Sequence, residues 1–293
     1  MSEFDPTKFS SNIEQNPLRK YFRQPKVYIT LPSKGKFYPE GDIEIPETNE
    51  FPVFAMTAKD ELTMKTPDAL LNGAATVDVI RSCIPTIKNP WAMPSIDLDA
   101  ALIAIRIATY GDQMEITTKV PGTGEERTFT IDLRQLLNKL VTKEYDTETV
   151  INDMKVSIRP LTYKEFTDAS LKTFEEQRIF NLVNDDEIPD QEKLARFNVS
   201  FQKLTDLTVT SLAKSIVKIA IGDTEVTNNV HIDEFVKNAD KDFYNQVLAH
   251  IETQRDLFVL EPLKVTSSEE DIAAGAPKEY EVPITFDQSN FFV

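Results

Sequence analysis

An α+β fold is what this sequence predicts: two similar halves, each combining helices with a β-hairpin, behind an extended N-terminal arm. Three observations lead to it. Short β-like runs and helix-period stretches alternate along most of the chain. A Thr-x-Lys-acid pattern opens a helix twice, at Thr57-Ala58-Lys59-Asp60 and at Thr162-Tyr163-Lys164-Glu165, with a cap hydroxyl three residues before a carboxylate each time. The arm, residues 1–25, holds Pro6, Pro17 and Pro25 among Phe4, Phe9, Leu18, Tyr21 and Phe22 and shows neither period.

The first half, residues 26–150, opens with β-like runs at Lys26–Leu31, Asp42–Ile45 and Phe51–Ala55. Prolines and glycines between them mark an irregular, edge-rich β region. A helical pattern runs from Thr57 to Leu71, divided by Pro67 and stopped at Asn72-Gly73. Helices follow at Ala74–Cys83 and Asp99–Tyr110, the second apolar on most sides and ended by Gly111. Met114–Lys119 and Arg127–Leu133 flank Pro121-Gly122-Thr123-Gly124 as a hairpin, and Leu133–Val141 closes the half as a helix.

The second half, residues 151–293, starts with a β run at Met154–Arg159 and a helix from Thr162 to about Val183. An acidic loop, Asp185-Asp186-Glu187 with Pro189, precedes helices at Glu192–Leu204, Asp206–Ile221, His231–Asn238 and Asp242–Asp256. A terminal hairpin pairs Leu257–Val265 with Tyr280–Phe286, and the small, acidic Ser267–Ala276 between them reads as a mobile loop.

The shared order is the pattern an internal duplication leaves. Asp97-Leu98-Asp99 before one helix matches Asp240-Lys241-Asp242 before another, and the offset grows from 105 residues at the Thr pair to 143 here. The second copy then holds 38 extra residues, around Gln191 to Ile221. The alternative is two ordinary α+β stretches in which capping signals recur.

Composition narrows the function. Among 293 residues, 32 Lys and Arg face 48 Asp and Glu, a net charge of −16 that repels phosphate backbones and argues against nucleic acid. One cysteine and two histidines cannot build a four-ligand zinc site without several carboxylates, so no metal is expected. No apolar run reaches the ~20 residues of a membrane span, and Met1–Ser11 lacks an apolar signal core. The expected setting is a reducing cytoplasm.

No phosphate loop, dinucleotide fingerprint, zinc-protease helix or nucleophile elbow is present, and no cofactor is expected. Ser33-Lys34-Gly35-Lys36 only superficially resembles the end of a phosphate loop, because Phe37 stands where Ser or Thr is needed. His231 and His250 have no nucleophile beside them, so a hydrolase built on either is a remote alternative. Asp97-Leu98-Asp99 reads as a helix-cap cluster, Asp185-Asp186-Glu187 as a solvated loop, and Cys83 as a small core residue. No catalytic residue is assigned.

The ends stand out instead. Residues 1–36 carry seven basic against three acidic side chains, +4, which leaves −20 for the rest. This arm either lies along a neighbouring subunit or docks on its own acidic body. The chain closes with Phe286, Phe291 and Phe292, and burying each Phe contributes about 1.5–3 kcal/mol. Insertion into a partner is the favoured reading, plugging the protein's own core the other.

Particular segments carry a family likeness. Val27–Tyr38 (VYITLPSKGKFY), Asp60-Glu61-Leu62 with Thr66–Gly73 (TPDALLNG), Ile105–Asp112 (IRIATYGD) and Phe286–Phe292 (FDQSNFF) together resemble the baseplate hub proteins of T-even-like contractile-tailed bacteriophages. The resemblance spans most of the chain. It implies a non-catalytic protein that acts in assembly of the central tail hub, in the host cytoplasm and in the virion baseplate, by contact with other hub and tail proteins. A chaperone that leaves before the particle is finished is the rival reading, and homo-oligomerisation stays open. The residues expected to meet partners are Phe4, Phe9, Tyr21, Phe22, Lys34, Lys36, Phe37, Tyr38, Phe286, Phe291 and Phe292. In some relatives the hairpins carry Cys-x-x-Cys knuckles like zinc ribbons; here Lys119–Gly124 and Ala274–Pro277 occupy those regions without cysteine, so the metal is not carried over.

Overall fold

The computed structural model describes residues 18, 21–66, 73–182 and 189–284. It is an α+β protein with helices grouped around four small antiparallel sheets. Strands β1 (Pro25–Ile29) and β2 (Phe51–Phe54) pair through Val27↔Val53 and Ile29↔Phe51. Helix α1 (Ala58–Met64) starts with the expected capping box: Thr57 Oγ1 accepts from Asp60 N, while the Asp60 carboxylate accepts from Thr57 N. Helix α2 (Ala74–Cys83) and two 3₁₀ turns, Pro90–Ala92 and Ser95–Asp97, lead into α3 (Leu98–Tyr110).

Every residue of α3 from Ala100 to Ile107 is buried, including Arg106, whose guanidinium lies 4.6 Å from the centre of the Tyr110 ring. Strands β3 (Gln113–Lys119) and β4 (Glu126–Asp132) form the first hairpin, and α4 (Leu133–Val141) follows with Asp132 as its cap. Phe51, Leu31, Val79, Ile80, Ile103 and Leu140 lie in one hydrophobic core built from these elements.

A second core, around Val156, Ile158, Leu212, Ile219, Val236, Phe243 and Val247, belongs to the remaining elements. Its sheet is a four-stranded antiparallel ladder of β5 (Glu148–Ile151), β6 (Met154–Ile158), β7 (Ile216–Ile221) and β8 (Thr224–Val226). Between the paired strands β6 and β7 the chain makes a long excursion through α5 (Tyr163–Leu182) and α6 (Asp190–Ser215). Helices α7 (Asn229–Asn238) and α8 (Lys241–Leu257), capped by Asn228 and Asp240, complete this core.

The last hairpin, β9 (Leu263–Thr266) with β10 (Glu279–Val282), returns to the first core, where Leu260 and Ile284 pack. Its tip meets the tip of the first hairpin. A Cβ built on Gly122 would lie 2.4 Å from the Gly275 carbonyl oxygen, and Arg127 Nη2 bonds Asp271 Oδ1 at 2.8 Å. The turns around Gly122 and Gly275 are therefore packed together directly, backbone on backbone.

Several expectations need correction. Residues 206–221 are not one helix: α6 runs unbroken from Asp190 to Ser215 and the chain then becomes β7. Ile216, Val217, Ile219 and Ile221 are β-branched, and β6 offers open hydrogen bonds in the register Ile158↔Ile216 to Met154↔Ile221, so pairing overrides helix continuation. Strands β5 and β8 were not expected. Asp42–Ile45 makes a single bridge, Ile43↔Ile87, instead of a strand. Ser267–Ala276 is not a loose loop but holds a short helix, α9 (Glu269–Ala273), capped by Ser268 and held by the Arg127–Asp271 pair. Only the stretch from Leu263 pairs in the final hairpin; Leu257 ends α8. Asp97 makes no side-chain cap to α3, because its carboxylate faces the other way.

Candidate interaction surfaces

Three surfaces follow from this architecture, and the first is built on Asp97. This carboxylate is completely buried where the 3₁₀ turn enters α3, and it reaches the 31–38 loop. Oδ1 accepts from Ser33 N at 2.7 Å, while Oδ2 accepts from Ser33 Oγ and, at 3.0 Å, from Tyr38 Oη. Burial pushes the Asp97 carboxyl up to about 6 against the lowering pull of Ser33 and Tyr38. Burial, then Asp97, raises the Tyr38 phenol well above its ordinary value. The loop carries Lys34 and Phe37 at φ +55° and +71°, a backbone that such residues adopt only when anchored.

That anchoring decides where the predicted contact residues go. Lys34 pairs with Glu144 at 2.6 Å, and Phe37 is half-buried with its ring edge against Tyr145, 5.7 Å between centroids. Tyr38 is half-buried on Asp97, and Lys36 is exposed. Tyr21 and Phe22 are exposed, but the next residue docks on the chain itself: Arg23 donates to the carbonyls of Ala55 and Ser82 and stacks over Phe54. Phe4, Phe9, Phe286, Phe291 and Phe292 lie outside the described residues.

The second surface lies where the elements of the two cores meet. Ser95 N donates to Leu161 O at 2.8 Å, Tyr163 N to Met93 O at 2.7 Å, and Trp91 stacks on Tyr163. Beside these contacts opens a cleft of about 450 Å³, walled by Leu98, Tyr145, Phe166, Leu212, Leu248 and Phe258. Arg159 holds Glu165 through two 2.8 Å bonds at its edge, and burial pushes Asp99, also on the wall, up to about 6.

An acid whose folded pKa is raised stabilises the fold below that pKa and loses this contribution as pH rises from the unfolded value, 3.8, through about 6. Asp97→Asn should therefore narrow its stability deficit to wild type between pH 4.5 and pH 7.5, by on the order of 2 kcal/mol. Urea midpoints of both chains at the two pH values check this; a deficit independent of pH would refute it.

The third surface was missed by sequence reasoning. Helices α5 and α6 lie against each other, yet several of their described large apolar side chains are exposed: Phe174 by 62%, Leu194 by 62%, Phe197 by 39% and Phe201 by 60%. Where they meet, Glu176 pairs with Lys203 at 3.0 Å and Ser200 is buried. On α6, Leu194, Phe197, Phe201 and Leu204 recur at spacings of three and four, and Thr208, Ser211 and Ser215 continue that face into the cleft wall. The rings of Phe197 and Phe201 stack in parallel, 6.4 Å apart. Three-and-four spacing is legible in the sequence; that Leu194, Phe197 and Phe201 stay exposed and Leu204 half-buried is not.

Among the described residues, the histidines and the cysteine do not converge on one site. His231 is exposed at the start of α7, and the His250 ring lies 3.0 Å from the Asp146 carbonyl oxygen. Burial pushes the Cys83 thiol up to about 11. Among the described residues no group of three His, Cys, Asp or Glu is placed to hold a metal ion, and no helix is long and apolar enough to cross a membrane. In comparison with known families, residues 24–266 match the model described as T4 bacteriophage base plate protein. No curated protein and no solved structure matches.

Proposed function

We propose that this chain, which belongs to the T4 bacteriophage base plate protein family, is a subunit of the central baseplate hub and acts in hub assembly through protein–protein contacts, without catalysis. The outward apolar face of the α5–α6 hairpin is the observation that carries this reading. A soluble two-helix hairpin normally turns such side chains inward, and a patch of this kind marks an interaction site. Exposed Tyr21 and Phe22 and the aromatic segments around Phe4, Phe9, Phe286, Phe291 and Phe292 are further proposed contacts. Lys34, Lys36, Phe37 and Tyr38 contribute as one preformed loop whose shape Asp97 maintains. The two halves, each with a capping-box helix and a helix that leads into a hairpin, are proposed to be copies of one unit.

Co-expression with the hub proteins of the same phage tests the reading. A defined complex that is also found in purified virions by mass spectrometry is the expected result, and Phe174→Glu in the hairpin should weaken it at least tenfold. A complex that is lost from the virion would instead make the chain a transient assembly chaperone. No complex with any hub protein would overturn the proposal.

A further inference from the structure

The order of side chains on the α6 stripe is a palindrome: Leu194, Phe197, Phe201, Leu204. In heptad terms these occupy a, d, a and d, the seam positions of a coiled coil. When two such helices run antiparallel, an a position of one meets a d position of the other. Leu194 then faces Leu204 of the second copy and Phe197 faces Phe201, and a two-fold axis between the phenylalanines satisfies both copies with the same contacts. We propose that α6 pairs antiparallel with α6 of a second copy of this chain. The proposal rests on the hairpin being an assembly surface and names one partner for it.

Charge selects the same arrangement. Of the positions flanking the seam, Lys193, Asn198, Ser200, Thr205 and Leu207, only Lys193 is charged. Antiparallel pairing sets the two Lys193 residues at opposite ends, whereas parallel pairing sets them side by side. Area is sufficient as well. With Leu194, Phe197 and Phe201 exposed by 62%, 39% and 60%, the stripe offers roughly 350 Å² of apolar surface per copy. Two copies with an ordinary polar rim then bury on the order of 1,000 Å² in total, the lower bound for a specific interface. Because the chains also carry a net charge of −16 each, the pair should be reversible.

Sedimentation of the full chain from 1 to about 100 µM should show a concentration-dependent dimer. The double variant Phe197→Glu/Phe201→Glu should stay monomeric at every concentration, with an unchanged circular dichroism spectrum as the check that the helix persists. Orientation is read by cross-linking. A mixture of Leu194→Cys chains with Leu204→Cys chains should form a mixed disulfide under copper–phenanthroline oxidation, while either variant alone should not; the native Cys83 is buried and does not compete. A chain that remains monomeric at the highest concentration, a dimer that survives the double glutamate variant, or Leu194→Cys chains that link to each other would each overturn the pairing. A monomer that still captures hub proteins would sink this inference alone. Loss of hub capture by a chain that dimerises as described would sink the hub reading alone.

Discussion

Replacing Asp97 by alanine should lower the unfolding free energy by about 3–5 kcal/mol, among the largest effects a single substitution can have here. The carboxylate satisfies Ser33 N, Ser33 Oγ and Tyr38 Oη in a site closed to water. Alanine leaves all three donors buried and unpaired, each at a cost of about 1–3 kcal/mol. It also releases the positive-φ residues Lys34 and Phe37 to relax, and with them the Lys34–Glu144 and Phe37–Tyr145 contacts to the segment that follows α4. Asp97→Asn keeps an acceptor for Ser33 N and should cost less than half as much. Urea denaturation measures both, and trypsin cleavage after Lys34 or Lys36 reports the loop. A loss under 1 kcal/mol for alanine would mean that the loop does not depend on this anchor.

Gly122→Ala should destabilise by about 2–4 kcal/mol, well beyond what its backbone conformation alone explains. Gly122 has φ +87°, where an alanine costs about 1–2 kcal/mol, and its new Cβ would overlap the Gly275 carbonyl oxygen at 2.4 Å. Backbone cannot step aside as a flexible side chain can, so the hairpin tips must part and strain the Arg127–Asp271 bond. Gly124→Ala supplies the control: φ is +74° but nothing lies within 4 Å of its added Cβ. Thermal midpoints should fall clearly further for the first variant than for the second. Equal falls would show that the tips separate without consequence.

Local chemistry made much of the fold readable. Helices α2 and α4 begin and end at the expected residues, and both Thr-x-Lys-acid signals are capping boxes in place, since caps act within one turn of backbone. The failures lie where partners are distant in sequence. Ile216–Ile221 carries enough apolar character for either a helix or a strand, and pairing with the distant β6 on one side and with β8 on the other makes it a strand. Asp97, three residues after Pro94, has every local mark of a helix cap; only the return of the 31–38 loop, more than 60 residues away, turns it into an anchor. The α6 stripe has the spacing of a core-facing helix. Its exposure depends on where α5 lies, which no periodicity within α6 records.

The insertion of the α5–α6 hairpin between two strands that are themselves paired separates reach from architecture. Ile158 and Ile216 stay in register whatever the length of the excursion, since the sheet fixes both of its ends. From Ser215 out to Leu194 the helix extends about 30 Å at 1.5 Å per residue. Adding or removing one heptad in each helix would shift the tip by about 10 Å and keep the stripe on the same side. The hairpin is thus a length gauge: a lineage can retune how far from the body its contact falls without renegotiating the core.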